Sequence, residues 1–103
     1  MFDSIKKMFG SAPSPDFSAL VRAGAVILDV RTSGEFQSGH IPGSINIPLD
    51  KLESRMNELT PKKVLITCCA SGMRSARARQ ILKMNGFTEV YNGGGWMSLR
   101  SKL

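Results

Sequence analysis

The residues best suited to chemistry stand together in one short segment, Cys69-Ala-Ser-Gly-Met-Arg74-Ser75. An apolar, β-branched run precedes it and a helix-forming stretch follows, so Cys69 is expected where a strand ends and a helix soon begins. In such a turn the backbone N–H groups of residues 70–75 point inward, and the start of the helix adds positive charge. The segment is therefore expected to bind anions.

The same surroundings favour a thiolate, because helix N-termini and nearby arginines lower the pKa of a thiol. Gly72 allows a backbone conformation that other residues resist, and Arg74 adds a permanent forked charge at the rim. No histidine base is needed to activate such a thiol. The segment predicts a nucleophilic thiolate at Cys69.

Strands alternate with helices along the rest of the chain. Continuous apolar runs at 25–30 and 63–68 are typical of parallel strands buried on both faces. Shorter strands are predicted at 44–47 and 88–91, and helices at 17–23, 33–38, 49–59, 74–85 and after the glycines at 93–95. The sequence predicts a single α/β domain with a mostly parallel central sheet of about four to five strands and helices on both faces. Ligands bind such sheets beyond the carboxyl ends of the strands, where Cys69 is expected.

Composition restricts the class of protein. The 103 residues suffice for one domain, and 42% hydrophobic with 21% charged residues is ordinary for a globular chain. No apolar run approaches a membrane span, and the first ten residues lack the apolar core of an export signal. Cys68 and Cys69 are adjacent and cannot easily bridge each other, and with one histidine they make no zinc site. We expect both thiols to be free, the protein to reside in the reducing cytoplasm, and neither a metal nor a cofactor to be bound.

Charge is unevenly distributed along the chain. The net charge is +6, and residues 62–103 carry eight basic side chains against only Glu89. This half predicts an anionic substrate, an acidic partner or nucleic acid. Nucleic acid is disfavoured, because the basic half lacks interleaved aromatic residues and any recognition motif.

The first residues are predicted to stand apart from the domain. Phe2, Ile5 and Phe9 recur at helical spacing, and Ser-Ala-Pro-Ser-Pro at 11–15 is typical of a linker. We expect residues 1–15 to form an amphipathic segment with its linker, and residues 16–103 to form the domain. The segment would form a frayed helix, dock on the domain, or contact a membrane or a partner.

Three parts of the sequence resemble the rhodaneses (thiosulfate sulfurtransferases) in their small single-domain form. Cys69-x-x-Gly72-x-Arg74-Ser75 is similar to the six-residue active-site loop of that family. The family's N-terminal signature resembles two segments of this chain, Leu28-Asp-Val-Arg31 with Glu35-Phe36 and, after it, Gly39-His-Ile-Pro-Gly-Ser-Ile-Asn-Ile-Pro48. The C-terminal end of the family's domain resembles Gly86-Phe87, Val90-Tyr91 and the glycine-rich turn before Trp96 in this chain. These parts follow one another in the family's order over about residues 16–100.

The resemblance implies a rhodanese-like domain and a ping-pong transfer of sulfur. Cys69 would take the outer sulfur of thiosulfate or of a persulfide, hold it as a persulfide, and pass it to cyanide or a thiol. Arg74 would position the anionic donor, and Ser75 would contribute a hydroxyl or cap the helix. The remaining substrate-binding positions are Ala70, Ser71, Gly72 and Met73. Ala70 and Met73 stand where polar or basic residues are frequent in the family, which makes thiosulfate less favoured as the physiological donor.

Two other functions remain open. Counting from Cys68 gives Cys-x5-Arg74, the phosphate-loop spacing of tyrosine and dual-specificity phosphatases, so Cys68 would be the nucleophile of a phosphatase or arsenate reductase. Thr67 stands where those enzymes usually carry His, which argues against this alternative. The other is a non-turnover sulfur carrier or partner-binding module. An acidic protein partner would account for the lysines that a small anion leaves unexplained, at 62, 63 and 102.

Supporting roles are predicted for residues near the loop. Asp29 is expected to be a buried carboxylate bonded to loop amides or to an arginine. Arg31 and Glu35 are expected to form a structural ion pair. His40 is expected to make a structural hydrogen bond, and Cys68 to be a small core residue if it is not the nucleophile.

Overall fold

The computed structural model describes residues 15–103. The predicted amphipathic segment therefore lies almost entirely outside the described residues. The division of the chain into 1–15 and 16–103 stays a prediction.

Four parallel strands form the central sheet of residues 15–103: β1 (Val26–Asp29), β2 (Ile45–Asn46), β3 (Leu65–Cys69) and β4 (Val90–Gly95). Their order is β2-β1-β3-β4, and every neighbouring pair is parallel. The two continuous apolar runs of the sequence become the central strands β1 and β3, because a central parallel strand is covered on both faces. The predicted parallel sheet is confirmed.

Four α-helices accompany these strands in the described part of the chain: α1 (Phe17–Arg22), α2 (Ser33–Gln37), α3 (Met73–Met84) and α4 (Trp96–Ser101). The carboxylate of Asp16 caps α1 by accepting from the Ala19 N–H at 3.0 Å. Thr32 and Glu35 form the predicted capping box of α2. Between residues 15 and 103 no helix combines the length and the apolarity needed to cross a bilayer.

Helices cover both faces of the sheet, as predicted. On one face α3 and the segment after β2 enclose a core that contains Leu28, Leu52, Leu65, Leu82 and Cys69. On the other face α1 and α4 enclose a core that contains Phe17, Ile27, Ile66, Leu99 and Cys68. The alternation of side chains along β3 therefore sends the two adjacent cysteines into different cores.

The prediction of a helix at 49–59 is wrong. Two 3-10 turns, Leu49–Lys51 and Met56–Glu58, stand in its place. Leu52 and Leu59 are buried as their spacing predicts. Local side-chain bonds compete with a regular helix here, because the Ser54 hydroxyl donates to the Lys51 carbonyl at 3.0 Å.

The strand predicted to end at Tyr91 continues to Gly95, so the expected turn at 92–95 is also wrong. The pairing shifts between Thr67 and Cys69 of β3, which places a bulge in the ladder. A Cβ at Gly93 would lie 2.8 Å from the side chain of Leu99 and 2.9 Å from that of Ile66. The glycines let β4 approach β3 closely, and this brings β4 to the edge of the Cys69 loop.

Candidate active site

Cys69 is the last residue of β3, and its sulfur lies under the turn that leads into α3. The backbone N–H groups of Gly72 and Ser75 donate to Sγ at 2.9 and 3.3 Å. The Ser75 hydroxyl lies 3.4 Å from the same sulfur. The predicted nest of inward N–H groups therefore points at the thiol itself.

Glycines make this turn possible. Gly72 has φ +101°, a conformation that strains residues with a side chain, and it stands immediately before α3. A Cβ at Gly95 would lie only 2.9 Å from the carbonyl oxygen of Ala70. The loop between β3 and α3 is thus held tightly against the end of β4.

Two opposing effects act on the pKa of Cys69. Burial raises it, since only 1% of the residue is exposed. Hydrogen bonding of the sulfur with the Ser75 hydroxyl and with the backbone N–H groups of Ser75, Gly72 and Ser71 lowers it, and together these bonds outweigh burial. The pKa of Cys69 therefore lies below its ordinary value, as expected of a nucleophilic thiol.

Cys68 has the opposite character. It is fully buried in the core beneath α1 and α4, and burial together with the nearby Asp29 carboxylate raises the pKa of its thiol to about 12. A protonated thiol on the far face of the sheet cannot attack an anion held in the turn before α3. The geometry argues against the phosphatase alternative and agrees with a core role for Cys68.

Arg74 pairs with Glu35. Its two terminal nitrogens lie 2.8 and 3.0 Å from the two carboxylate oxygens, in a forked arrangement. The bond from Arg74, supported by that from the Thr32 backbone, lowers the pKa of Glu35 to about 2. The predicted Arg31–Glu35 ion pair is therefore wrong, and the charge of Arg74 is offset by a carboxylate.

Arg31 instead pairs with Asp29, at 2.7 Å, and both are buried. The guanidinium also donates to the carbonyl of Gly39 at 2.7 Å and lies 4.6 Å from the ring centroid of Trp96. The buried Asp29 carboxylate thus has the arginine partner that was predicted. This network ties the end of β1 to the start of α4.

The other predicted loop residues line the surface above the sulfur. Ala70 and Ser71 are exposed, and Met73 is 80% exposed at the start of α3. A cavity of about 310 Å³ lies beside the loop, with Arg74 on one wall and Val30, Thr32 and the segment Pro48–Asp50 on the others. The walls of this cavity carry one cation, Arg74, and one carboxylate, Asp50, so their formal charges cancel.

His40 lies outside this cluster of side chains. Its Nδ1 is 2.7 Å from the Phe36 carbonyl oxygen, and its ring stacks on that of Phe36. This agrees with the structural hydrogen bond expected of it. Within residues 15–103 no three His, Cys, Asp or Glu side chains are arranged to hold a metal ion.

Asn92 is the site residue that the sequence analysis missed. Its side-chain oxygen accepts from the Ser75 hydroxyl at 2.6 Å, and its amide nitrogen lies 3.4 Å from the Gly72 carbonyl oxygen. The signal available in the sequence was a polar residue directly before three glycines. The expectation of a turn there hid the fact that β4 carries Asn92 to the loop.

The fold and the site define a class: a parallel α/β domain that presents a low-pKa thiol within a turn of backbone donors. The family model of the rhodanese-like domain matches residues 15–102. The chain belongs to the rhodanese-like domain family.

Relatives in this family include both enzymes and a carrier by name. Thiosulfate sulfurtransferase PspE of Escherichia coli is 37% identical over 81 residues, which are 77% of this chain and 78% of PspE. The putative sulfur carrier protein YrkF of Bacillus subtilis is 44% identical over 66 residues, which are 64% of this chain and 36% of YrkF. The chain spans 64% and 36% of the length of the two Bacillus subtilis relatives with which it shares 44% identity.

A solved structure shares the fold over nearly the whole chain. The human single-domain sulfurtransferase TSTD1 superimposes with a TM-score of 0.74 at 28% identity, covering 86% of this chain and 93% of that one. The single rhodanese fold predicted from the sequence is confirmed.

Proposed function

We propose that this chain is a sulfurtransferase that moves a sulfane sulfur through a persulfide on Cys69. The observation that carries the proposal is the pair of backbone N–H groups, from Gly72 and Ser75, that point at Sγ. Membership of the rhodanese-like family and the thiosulfate sulfurtransferases among its relatives support it.

In the first half-reaction the Cys69 thiolate attacks the outer sulfur of the donor. The electron pair of the thiolate forms the new S–S bond, the old S–S bond breaks, and sulfite or a thiolate leaves with its electron pair. The product is an anionic persulfide, whose charge the loop N–H groups stabilise. In the second half-reaction a thiolate or cyanide attacks the outer sulfur of this persulfide, and Cys69 leaves as a thiolate.

The geometry of the mouth limits what can react. Because Cys69 is only 1% exposed, the reacting atom must be slim and terminal, as the outer sulfur of thiosulfate or of a persulfide is. The cavity beside Arg74 offers room for the rest of the donor. A bulky or internal sulfur atom would clash with the turn before it reached Sγ.

The charge at the mouth favours a persulfide over thiosulfate as donor. Arg74, the cation of the loop, is forked onto Glu35, and Ala70 and Met73 add no charge. A thiosulfate dianion gains little electrostatic stabilisation from an arginine that is already paired with a carboxylate. A singly charged persulfide needs less compensation of its negative charge. We infer that low-molecular-weight or protein persulfides are the better donors, with a thiol as acceptor.

A second candidate function is that of a sulfur carrier. The relative YrkF bears that name, and the narrow, weakly charged mouth suits handover from a protein persulfide better than rapid turnover of thiosulfate. In that case the lysines at 62, 63 and 102 would contact an acidic protein partner.

Mass spectrometry tests the proposal directly. Mixing the protein with thiosulfate or with glutathione persulfide should add one sulfur atom, mapped to the Cys69 peptide, and adding cyanide or a thiol should remove it. Cys69→Ser is the matched control and should gain none. Failure of every donor to load Cys69 would overturn the proposal, and loading without multiple turnovers would identify a carrier.

A further inference from the structure

Asn92 connects three parts of the site. It lies in β4 next to the bulge, opposite Thr67 of β3. Its side chain reaches the Ser75 hydroxyl at 2.6 Å, the Gly94 N–H at 2.9 Å and the Gly72 carbonyl oxygen at 3.4 Å. One amide thus joins the loop, the first turn of α3 and the glycine segment.

The backbone partners determine which way the amide faces. The N–H of Gly94 can only donate, and the carbonyl of Gly72 can only accept. Both are satisfied only when Oδ1 of Asn92 faces Gly94 and Ser75 while Nδ2 faces Gly72. Ser75 therefore meets an acceptor, and its single hydroxyl proton is directed to Asn92.

The same hydroxyl oxygen lies 3.4 Å from Sγ of Cys69. When Cys69 is a thiol, its S–H can donate to the Ser75 oxygen while Ser75 donates to Asn92. When Cys69 loses its proton to solvent, the thiolate can accept one more hydrogen bond beside those from the Gly72 and Ser75 N–H groups. The Ser75 hydroxyl can supply it only by turning from Asn92 towards Sγ. Asn92 and the thiolate compete for one proton.

We propose that Asn92 is a positioning residue that sets the acidity of Cys69 by competing with its thiolate for the Ser75 hydroxyl. The proposal concerns the thiol itself and holds whatever donor Cys69 uses. After sulfur has been loaded, the same hydroxyl is free to return to Asn92.

The charged and titratable groups around Cys69 do not supply this effect. Arg74 of α3 faces it in a pair with Glu35 of α2, and Cys68 lies beside it in β3. Asp29 of β1 is paired with Arg31 on the other side of the sheet. None of them hydrogen-bonds to the Asn92 side chain, whose partners are Ser75, Gly72 and Gly94, so substitutions at Asn92 break no bond to these groups.

The pH dependence of Cys69 alkylation by iodoacetamide, mapped by mass spectrometry, tests the proposal. Asn92→Ala releases the hydroxyl to the thiolate and should lower the pKa of Cys69 by about half a unit. Asn92→Asp keeps the shape but accepts more strongly, and should raise the pKa by about one unit. A purely structural role predicts that both changes loosen the loop and raise the pKa.

The Ser75→Ala background separates competition from any other effect of Asn92. There, Asn92→Ala should no longer shift the pKa, since the shared proton is gone. A rise of the pKa in Asn92→Ala, no shift at all, or an equal shift with and without the Ser75 hydroxyl would each overturn the proposal. Should Asn92→Ala fail to fold, the rise caused by Asn92→Asp must shrink in Ser75→Ala. Alkylation needs no sulfur donor, so failure here is distinguishable from failure of the proposed sulfur transfer.

Discussion

The two faces of β3 hold the two cysteines in contrasting surroundings. Both residues are buried, Cys68 fully and Cys69 with 1% of its surface exposed. On the α1–α4 face, burial and the Asp29 carboxylate raise the pKa of Cys68 to about 12. On the α3 face, the donors of Gly72 and Ser75 lower the pKa of Cys69 in spite of its burial.

The difference shows that depth alone does not decide in which direction the pKa of a cysteine shifts. Desolvation acts on both thiols in the same direction, so the sign of the shift depends on hydrogen-bond donors aimed at the sulfur. The turn before α3 supplies such donors on one face only. A thiol one residue away, without them, is a small core side chain.

Replacing each cysteine separately gives the largest expected contrast in the rate of sulfur transfer. Cys69→Ser should reduce sulfur transfer from a persulfide donor by more than about a thousand-fold, because the nucleophile is lost. Cys68→Ala should keep the rate, since its thiol lies in the opposite core. Steady-state turnover of both variants checks this, and a comparable loss in Cys68→Ala would contradict the separation of the two faces.

Gly72 tests whether the donors aimed at Cys69 matter. Gly72→Ala puts a side chain at φ +101° and shifts the N–H that bonds Sγ, so sulfur transfer should fall about ten- to a hundred-fold. Gly86→Ala is the matched control, with φ +94° and no atoms within 4 Å of the added Cβ. It should cost about 1 kcal/mol of stability and leave the rate unchanged. Equal rates in the two variants would contradict the role of the turn.

The high pKa of Cys68 predicts a loss of stability in alkali. Its folded pKa of about 12 lies above that of the unfolded thiol, so its contribution is complete below about pH 9 and declines as the pH rises towards 12. The unfolding free energy of the wild type should therefore fall relative to Cys68→Ala by about 1.4 kcal/mol per pH unit between those values. Urea unfolding of both proteins under reducing conditions measures the difference, and parallel curves would rule out the shift.

The smallest effect is expected from the ion pair at the rim of the Cys69 face. Glu35→Gln preserves the capping box, because Gln is also accepted at that position, but leaves Arg74 without a charged partner. At a pH above which the rates no longer rise, the rate with thiosulfate should increase about three-fold relative to the rate with a persulfide. An unchanged ratio of the two rates would show that the pairing of Arg74 does not select the donor.

Much of the fold could be predicted because it rests on local patterns. The apolar runs of β1 and β3 mark central strands. Asp16 caps α1 and the Thr32–Glu35 pair caps α2, through bonds between residues only three positions apart. The spacing of Cys69, Gly72 and Arg74 likewise identified the turn whose N–H groups bond Sγ. These features depend on neighbours in the chain, which the sequence displays directly.

The errors have two causes. Contacts distant in sequence decide some elements, and local bonds that the pattern does not reveal decide others. The spacing of Leu52 and Leu59 predicted their burial correctly but not the 3-10 turns around them. The glycines after Asn92 looked like a turn, yet they permit close packing of β4 on β3. Glycine is compatible with a turn and with a closely packed strand, and only the contacts with the neighbouring strand decide between the two.

The sequence by itself determined the class of fold and predicted the loop that begins at Cys69, because strand, turn and helix start follow from adjacent residues. Only the tertiary structure decided how the charges and protons around that thiol are shared. Glu35 meets Arg74 across 39 positions of the chain, and Asn92 meets Ser75 across 17. Such partners are chosen by the register of the parallel strands and by the packing of the helices over them, and neither is visible in local spacing.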